Sequence, residues 1–318
     1  MGSGSRSQGR DEAATSPYAR LENRAFWRSA VANRHPAKLA DLYRKKFVIR
    51  EDERIATAGS CFAQHIASRL RSHGYNVLDA EPTPYAFDRE SAHKFGFGLY
   101  SARYGNIYTV RQLLQLVLEC QGLREPAEIV WTRGGRCFDA LRPTVEPDGL
   151  ASAELVRLHR DQHLGRVRQL FYETTLLVFT LGLTETWEHR GDGTVYPTAP
   201  GTVAGDFSPE TYAFKNLAYH EIVADFLELR ARLREASPGI RFLLTVSPVP
   251  LTATASGDHV FSRRPIRKRC CALPPERSPA PMTTSIISPP TKSSPARRRA
   301  ASTTRATCAT SQLPGSTL

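Results

Sequence analysis

The chain has 318 residues, enough for one large domain with a sizeable core or for two smaller domains. Its formal net charge is +12, but residues 263–318 contain 11 basic residues and one acidic residue, so the preceding 262 residues carry only +2. The charge therefore argues against a nucleic-acid or membrane surface on the body of the protein. No run of about 18 apolar residues predicts a transmembrane helix, and residues 1–14 lack the apolar stretch of a secretion signal.

The six cysteines show neither metal-ligand spacing nor an obvious pairing pattern. Such cysteine usage is typical of a reducing compartment, so we predict a cytoplasmic protein without a metal or a cofactor. The sequence leaves the oligomeric state open.

In the first half of the chain, strand-like and helix-like segments alternate after a polar start. Residues 1–16 are predicted to be disordered, and a helical extension is predicted over residues 18–46. Strands over 54–58 and 75–78 flank a helix over 62–73. Thr109 is placed to cap an apolar helix that carries leucines at positions 113, 114, 116 and 118.

The second half continues the alternation, with helices over 151–172 and 216–236 and strands over 176–181 and 242–246. Both strands are nearly continuous apolar runs, which is typical of parallel strands buried on both faces. Strands that alternate with helices of this length predict an α/β fold with a doubly wound parallel sheet.

Residues that could bind a ligand or take part in catalysis follow two of these strands. The first group, Gly59-Ser60-Cys61-Phe62-Ala63, occupies a strand-to-helix turn, where helix amides stabilise a thiolate or an oxyanion. The second, residues 182–187, follows the apolar strand and includes Thr184 and Glu185, while Gly105 and Asn106 precede the helix that starts near Thr109. Because ligands of open α/β sheets bind beyond the carboxyl ends of the strands, a site is predicted there.

Structural roles are open for the same residues. The Ser60 hydroxyl could cap the helix, and Cys61 could be a small core residue. Glu185 could form a structural ion pair, and His259 could be an ordinary loop histidine.

The first motif and four others resemble the GSCFA-domain family, which is placed near the SGNH (GDSL-type) hydrolases. The other motifs are Ala25-Phe-Trp-Arg28, Tyr104-Gly-Asn-Ile-Tyr-Thr109, Phe179-Thr-Leu-Gly-Leu-Thr-Glu185 and Leu244-Thr-Val-Ser-Pro-Val-Pro250, and the first extends over residues 54–65. Together they cover residues 18–259. The resemblance implies a three-layer, SGNH-hydrolase-like fold whose active-site pieces lie on separate strand ends.

Laid over the Gly-Asp-Ser-Leu pattern of those hydrolases, Gly59 matches the glycine and Cys61 matches the nucleophilic serine, with Ser60 as its rival. The resemblance further implies an oxyanion hole built from Gly105 and Asn106, or from Thr184. The Asp-x-x-His pair that supplies the base in SGNH enzymes is missing from the tail. His259 beside Asp258 is the nearest substitute, and Glu185 is another candidate base.

Two functions are therefore open. The first is a hydrolase or acyltransferase that acts on an ester, an O-acylated carbohydrate being one candidate substrate. The second is a non-catalytic module that binds a small ligand on the same scaffold. Neither predicts a nucleic-acid or membrane partner.

Residues 260–318 depart from the pattern of the preceding domain, which we place at 17–259. From residue 263 onward there is no Phe, Tyr, Trp or Val, but there are nine Pro, eight Ser and eight Thr. Codons permitted by residues 263–273 and 282–294 can be read in another frame as family-like sequence, including a strand. We therefore predict a frameshift near Val260, a fold that is incomplete at its C-terminus, a disordered tail and a chain that could be inactive.

Overall fold

The computed structural model of the chain describes residues 16–40, 42, 45 and 47–263. The predictions for residues 1–15 and for the tail beyond 263 lie outside this part. The helices of the described part are α1 (Cys61–Ser72), α2 (Arg89–Lys94), α3 (Val110–Cys120), α4 (Ala153–Glu173) and α5 (Tyr219–Ala236). The strands are β1 (Ile55–Gly59), β2 (Val130–Arg133), β3 (Arg136–Asp139), β4 (Leu176–Leu181), β5 (Glu185–His189), β6 (Val195–Tyr196), β7 (Tyr212–Asn216) and β8 (Arg241–Val246).

A three-stranded parallel sheet in the order β1-β4-β8 forms the centre of the molecule. Alternate residues of β4 serve opposite faces, as the period of a strand requires. Leu176 and Val178 pack with apolar residues of α1, whereas Leu177 and Phe179 share a core with α3, α4 and α5. The predicted parallel α/β sheet is thus confirmed for these three strands, with helices on both faces. The more specific expectation, a three-layer SGNH-hydrolase-like fold, stays a prediction.

Two antiparallel units outside this sheet did not follow from the sequence patterns. One is the β2–β3 hairpin, and the other is a three-stranded sheet in the order β6-β5-β7. Trp131 and Phe138 of the hairpin share a second core with Tyr196 and Tyr212 of the sheet. Short strands of this kind are stabilised by apolar contacts with residues that are distant in the sequence. Their alternation of apolar and polar residues is therefore too weak to predict them.

The N-terminal extension is not the continuous helix predicted for residues 18–46. Its described part contains only short turns, at Asn23–Ala25, Arg28–Ala32 and Pro36–Lys38. Pro36 lacks the backbone N–H that a continuing helix would need. The strand predicted over 75–78 is also wrong in extent, because only Val77 forms a bridge, with Ile55.

A buried ion network joins α3, α4 and the end of β3. Arg160, which is 3% exposed, contacts both carboxylate oxygens of Asp139 at 3.1 Å and also binds Glu119. Arg142 donates a 2.7 Å hydrogen bond to Asp139. Although burial opposes it, the two guanidinium groups lower the pKa of Asp139 to about 2. The network therefore holds the hairpin against the helical layer through paired charges.

None of the helices in the described part of the chain is long and apolar enough to span a bilayer.

Candidate functional site

The carboxyl ends of the three parallel strands lie at one edge of the sheet, and the loop over residues 104–109 crosses that edge. The backbone N–H of Ile107 donates to the carbonyl of Gly59 at 3.0 Å. The N–H groups of Gly182 and Leu183 both donate to the carbonyl of Tyr108, at 3.0 and 2.9 Å. These bonds bring the first motif, the Gly105-Asn106 loop and the start of the 182–187 segment together at this edge.

Gly59 is required at the end of β1 for two reasons. Its φ of 142° is a value that residues with a side chain rarely adopt. A Cβ atom at this position would also lie 2.7 Å from the carbonyl oxygen of Thr180 on β4. The chain can therefore turn from β1 into α1 while remaining in contact with β4.

Ser60 precedes α1 but does not cap it with its side chain, so the structure does not show the capping alternative that the sequence left open. The residue is 3% exposed, and its hydroxyl has no hydrogen-bond partner among the described residues. Gly182 packs against it so closely that a Cβ atom on Gly182 would lie 2.9 Å from the Ser60 Cβ. Ser60 thus presents a buried, unsatisfied hydroxyl at the strand ends.

Cys61 is the first residue of α1 and is half-buried. Tyr100, which is 1% exposed, is linked to the same helix by a hydrogen bond from Gln64. Burial is the main cause of the raised pKa of Tyr100, and the neighbouring Tyr108 and Cys61 raise it further. A helix N-terminus stabilises negative charge, such as that of a thiolate or an oxyanion.

Asn106 is oriented by a chain of side-chain hydrogen bonds that begins on α1. The amide of Gln64 donates to the Tyr100 hydroxyl at 3.0 Å, and this hydroxyl donates to Oδ1 of Asn106 at 2.6 Å. The Asn106 carbonyl accepts from Gln112 at 3.0 Å, which fixes the backbone. With Oδ1 already an acceptor, the amide nitrogen of Asn106 is left without a partner in the described structure. It can donate to a ligand.

Gly105 gives the same loop its shape, because its φ of 67° lies in the left-handed region. Thr184, predicted as another oxyanion donor, is 3% exposed and donates its hydroxyl proton to Oδ1 of Asn216 at 2.7 Å. That proton is therefore engaged, which leaves Asn106 as the better-placed donor.

Neither candidate base forms a hydrogen bond with the Ser60 hydroxyl. Glu185, at the start of β5, accepts a 2.9 Å hydrogen bond from Thr254, and its Oε1 is 3.6 Å from the Arg263 guanidinium. His259 is exposed, and its Nδ1 accepts the backbone N–H of Phe261 at 3.2 Å within its own turn. Neither contact prepares these groups to accept a proton from Ser60, so their role as bases stays a prediction.

Gln64, Tyr100 and the pair formed by Glu81 and His163 were missed by the sequence analysis. Gln64 follows Cys61 by three residues, a spacing that places both on one helix face and could have indicated it. His163 Nδ1 lies 2.8 Å from Glu81 Oε2 across 82 positions of sequence. No local pattern could have joined those two residues.

Within the described ranges, no group of three or more His, Cys, Asp or Glu side chains is placed to hold a metal ion. No curated protein and no solved structure matches the chain significantly. The sequence model of the GSCFA family matches residues 54–268, which include β1, the 104–109 loop, β4 and β8. The strand ends that hold Ser60, Cys61 and Asn106 thus all fall within the matched region, and the chain belongs to the GSCFA family.

Proposed function

We propose that the domain is an ester hydrolase or acyltransferase whose reaction takes place at the strand ends. The observation that carries this proposal is the hydrogen-bonded chain from Gln64 through Tyr100 to Asn106. It holds a carboxamide beside the N-terminus of α1 with its N–H₂ group unpartnered. Preorganised donors of this kind stabilise the charge that develops on a carbonyl oxygen during acyl transfer.

Cys61 is the better-supported nucleophile of the two candidates. A thiol at a helix N-terminus reacts as the thiolate and needs less help from a base than a hydroxyl does. The Ser60 hydroxyl has no partner that could take its proton. In the proposed reaction, the Cys61 sulfur bonds to the acyl carbon while Asn106 and the first amides of α1 hold the oxyanion. The alcohol then leaves with a proton, and water or a second alcohol removes the acyl group and restores the thiol.

A cleft along α1 suits a substrate larger than a simple ester. A cleft of about 450 Å³ between α1 and α2 begins at Gln64, one helical turn after Cys61. Its walls combine aromatic and polar side chains, including Phe87, Arg89, His93 and Phe97. Ligand sites of this volume accept sugar-sized molecules, so an O-acylated carbohydrate is the substrate class to test first.

The test is turnover of a panel of acyl esters, with aryl acetates and O-acetylated sugars as the first members. Cys61→Ala is expected to abolish turnover, and Asn106→Ala to lower kcat by about 100- to 1,000-fold. Cys137→Ala, which changes another half-buried cysteine on β3, should leave turnover intact. Intact-mass measurement of the quenched enzyme should find one added acyl group on the wild type and none on Cys61→Ala. Undiminished turnover in both Cys61→Ala and Ser60→Ala would remove both nucleophiles.

A second function is a non-catalytic ligand-binding module on the same scaffold. It is favoured by the unpartnered Ser60 hydroxyl and by the engagement of His259 within its own turn, because neither arrangement provides a base. Calorimetric titration with the same sugars distinguishes the two functions. Saturable binding without hydrolysis supports the module, and any turnover that depends on Cys61 or Ser60 rejects it.

A further inference from the structure

A second polar site lies inside the molecule, behind the 104–109 loop. A partly open cavity of about 30 Å³ is bordered by α3, α4 and the start of β6. Apolar side chains such as Ile107, Leu116 and Val195 form part of its wall, and His163 and Arg124 also line it. A volume of this size has room for one or two water molecules but not for a larger ligand.

His163 lines this cavity, and one of its ring nitrogens has no hydrogen-bond partner in the described part of the chain. The residue is 1% exposed, and its Nδ1 is 2.8 Å from Glu81 Oε2. Burial, reinforced by the charge of Arg142, lowers the pKa of His163 to about 4, so the ring is neutral at physiological pH. Although burial opposes it, hydrogen bonds from His163 and the Arg103 amide lower the pKa of Glu81, which is therefore ionised. The single ring proton then lies on Nδ1, and Nε2 carries a lone pair.

Two residues that line the cavity each have a buried nitrogen without a hydrogen-bond partner among the described residues, one an acceptor and the other a donor. His163 Nε2 requires a donor and Arg124 Nε requires an acceptor, and neither has a hydrogen-bond partner in the described part of the chain. Buried polar groups in native proteins are nearly always paired. Water both donates and accepts, and it fits the volume.

The Glu81–His163 pair also holds the loop that carries Asn106. Glu81 Oε2 accepts a 2.6 Å hydrogen bond from the backbone N–H of Arg103, three residues before Asn106. The ring of the next residue, Tyr104, lies edge-on to the His163 ring, with centroids 6.3 Å apart. Movement of this pair would therefore displace the oxyanion donor.

We propose that the cavity is a binding site for one or two water molecules held by His163 Nε2, and that the Glu81–His163 pair positions the loop that presents Asn106. The water site is independent of any activity, whereas the positioning role rests on the proposed function. His163 acts through Glu81 and the loop, so it is a positioning residue.

The experiment compares two substitutions at His163 with a control one turn earlier on α4. His163→Leu removes both ring nitrogens. His163→Asn keeps a donor for Glu81 but loses the acceptor facing the cavity. His159→Leu changes a half-exposed histidine whose ring is 4.0 Å from Glu146. The readouts are ordered water in high-resolution crystal structures, amide hydrogen exchange of residues 103–107, and kcat and KM.

Wild-type crystals are expected to show water within hydrogen-bond distance of His163 Nε2. His163→Leu should speed exchange at residues 103–107 and lower kcat, each by about tenfold, with KM nearly unchanged. His163→Asn should lose the water while keeping the exchange protection, and His159→Leu should resemble the wild type. If His163→Leu does not fold, the wild-type structure and His163→Asn decide the water site. Glu81→Gln, which removes the charge that binds His163 and the Arg103 amide, then tests the positioning role and should speed exchange at residues 103–107.

A dry cavity in the wild type would overturn the water site, and unchanged exchange in His163→Leu would overturn the positioning role. Failure of the proposed function looks different. In that case no ester is turned over by any variant, while the water and the exchange protection are still observed.

Discussion

Two glycines allow the strand ends to approach closely enough to form a site. Gly59 faces the backbone of Thr180, and Gly182 faces Ser60. At either position a methyl group would overlap atoms that have little freedom to move. The crowding concentrates Ser60, Cys61 and the 104–109 loop in a small volume.

Replacing Gly59 with alanine is expected to lower the free energy of unfolding by about 2–4 kcal/mol, through overlap with Thr180 and through backbone strain. Urea unfolding measures the change. Gly165→Ala is the control, since Gly165 lies within α4 with no atom within 4 Å of an added Cβ. That variant should gain about 0.5–1 kcal/mol from helix propensity. Equal stability of Gly59→Ala and wild type would contradict the packing described for this turn.

The buried imidazole of His163 makes stability depend on pH. Its pKa is about 4 in the folded protein, below the ordinary value of 6.5, because burial disfavours the charged ring. Between these values the unfolded chain binds a proton that the folded chain does not, so stability is full above about pH 6.5 and falls as the pH drops towards 4. The total loss is on the order of 3 kcal/mol.

Unfolding free energies measured from pH 7 down to pH 4.5 test this dependence. The slope should be shallower in His163→Leu than in the wild type by about one proton. The lowered pKa of Glu81 acts in the same direction near and below its ordinary value of 4.5, so the slopes are compared above about pH 5.5. Identical slopes in the two proteins would show that His163 titrates normally.

The residues that precede α1 and α3 both carry a hydroxyl group, but they differ in their hydrogen bonds to the helix. Thr109 accepts the backbone N–H of Gln112 at 3.1 Å and caps α3, whereas Ser60 makes no such bond at α1. A hydroxyl side chain thus precedes both helices. That of Thr109 caps its helix, whereas that of Ser60 remains available for a reaction.

Thr109→Ala is therefore expected to cost about 1 kcal/mol of stability, while Ser60→Ala should cost distinctly less because its hydroxyl is buried without a partner. Thr109→Ser keeps the capping oxygen and should recover most of the loss. Thermal and urea unfolding of the three variants supply the comparison. A larger loss for Ser60→Ala than for Thr109→Ala would mean that Ser60 has a bonded structural role.

The elements that the sequence predicted are those with a strong local signal. The apolar run over 176–181 matches β4 at both ends, and Thr109 caps α3 as expected. The antiparallel strands and the failure of the N-terminal helix depend on contacts between distant segments. Likewise, the motifs placed Ser60, Cys61 and Asn106 near one another, but the Gln64–Tyr100–Asn106 chain and the Glu81–His163 pair join side chains whose proximity only the fold creates.

For the whole molecule, β8 is an edge of the central sheet in the described part of the chain, since it pairs only with β4. An uncovered edge of a parallel sheet invites association between chains. The predicted frameshift near Val260 would replace the segment that follows β8. It would therefore account both for the exposed edge and for a loss of activity.

The nucleotide sequence across the Val260 codon tests the frameshift. A single insertion or deletion there should restore a family-like C-terminus that contains a further strand, and the restored chain should be more soluble. If no such change yields one, the frameshift prediction is wrong. Limited proteolysis supplies an independent measurement on the chain as it is: resistance up to about residue 250 would argue that the sheet is stable despite its edge.

The aromatic core shared by the β2–β3 hairpin and the β6-β5-β7 sheet gives the molecule a built-in spectroscopic label. Of the three tryptophans, Trp27 is 75% exposed, whereas Trp131 stacks near Tyr196 and Trp187 contacts Phe207 and Phe214. The core around the parallel sheet contains no tryptophan among its described members. Blue-shifted emission should therefore follow the antiparallel units, while the helical signal of circular dichroism follows the α/β core. Separate midpoints for the two signals would show that these parts of the fold melt as independent cooperative units.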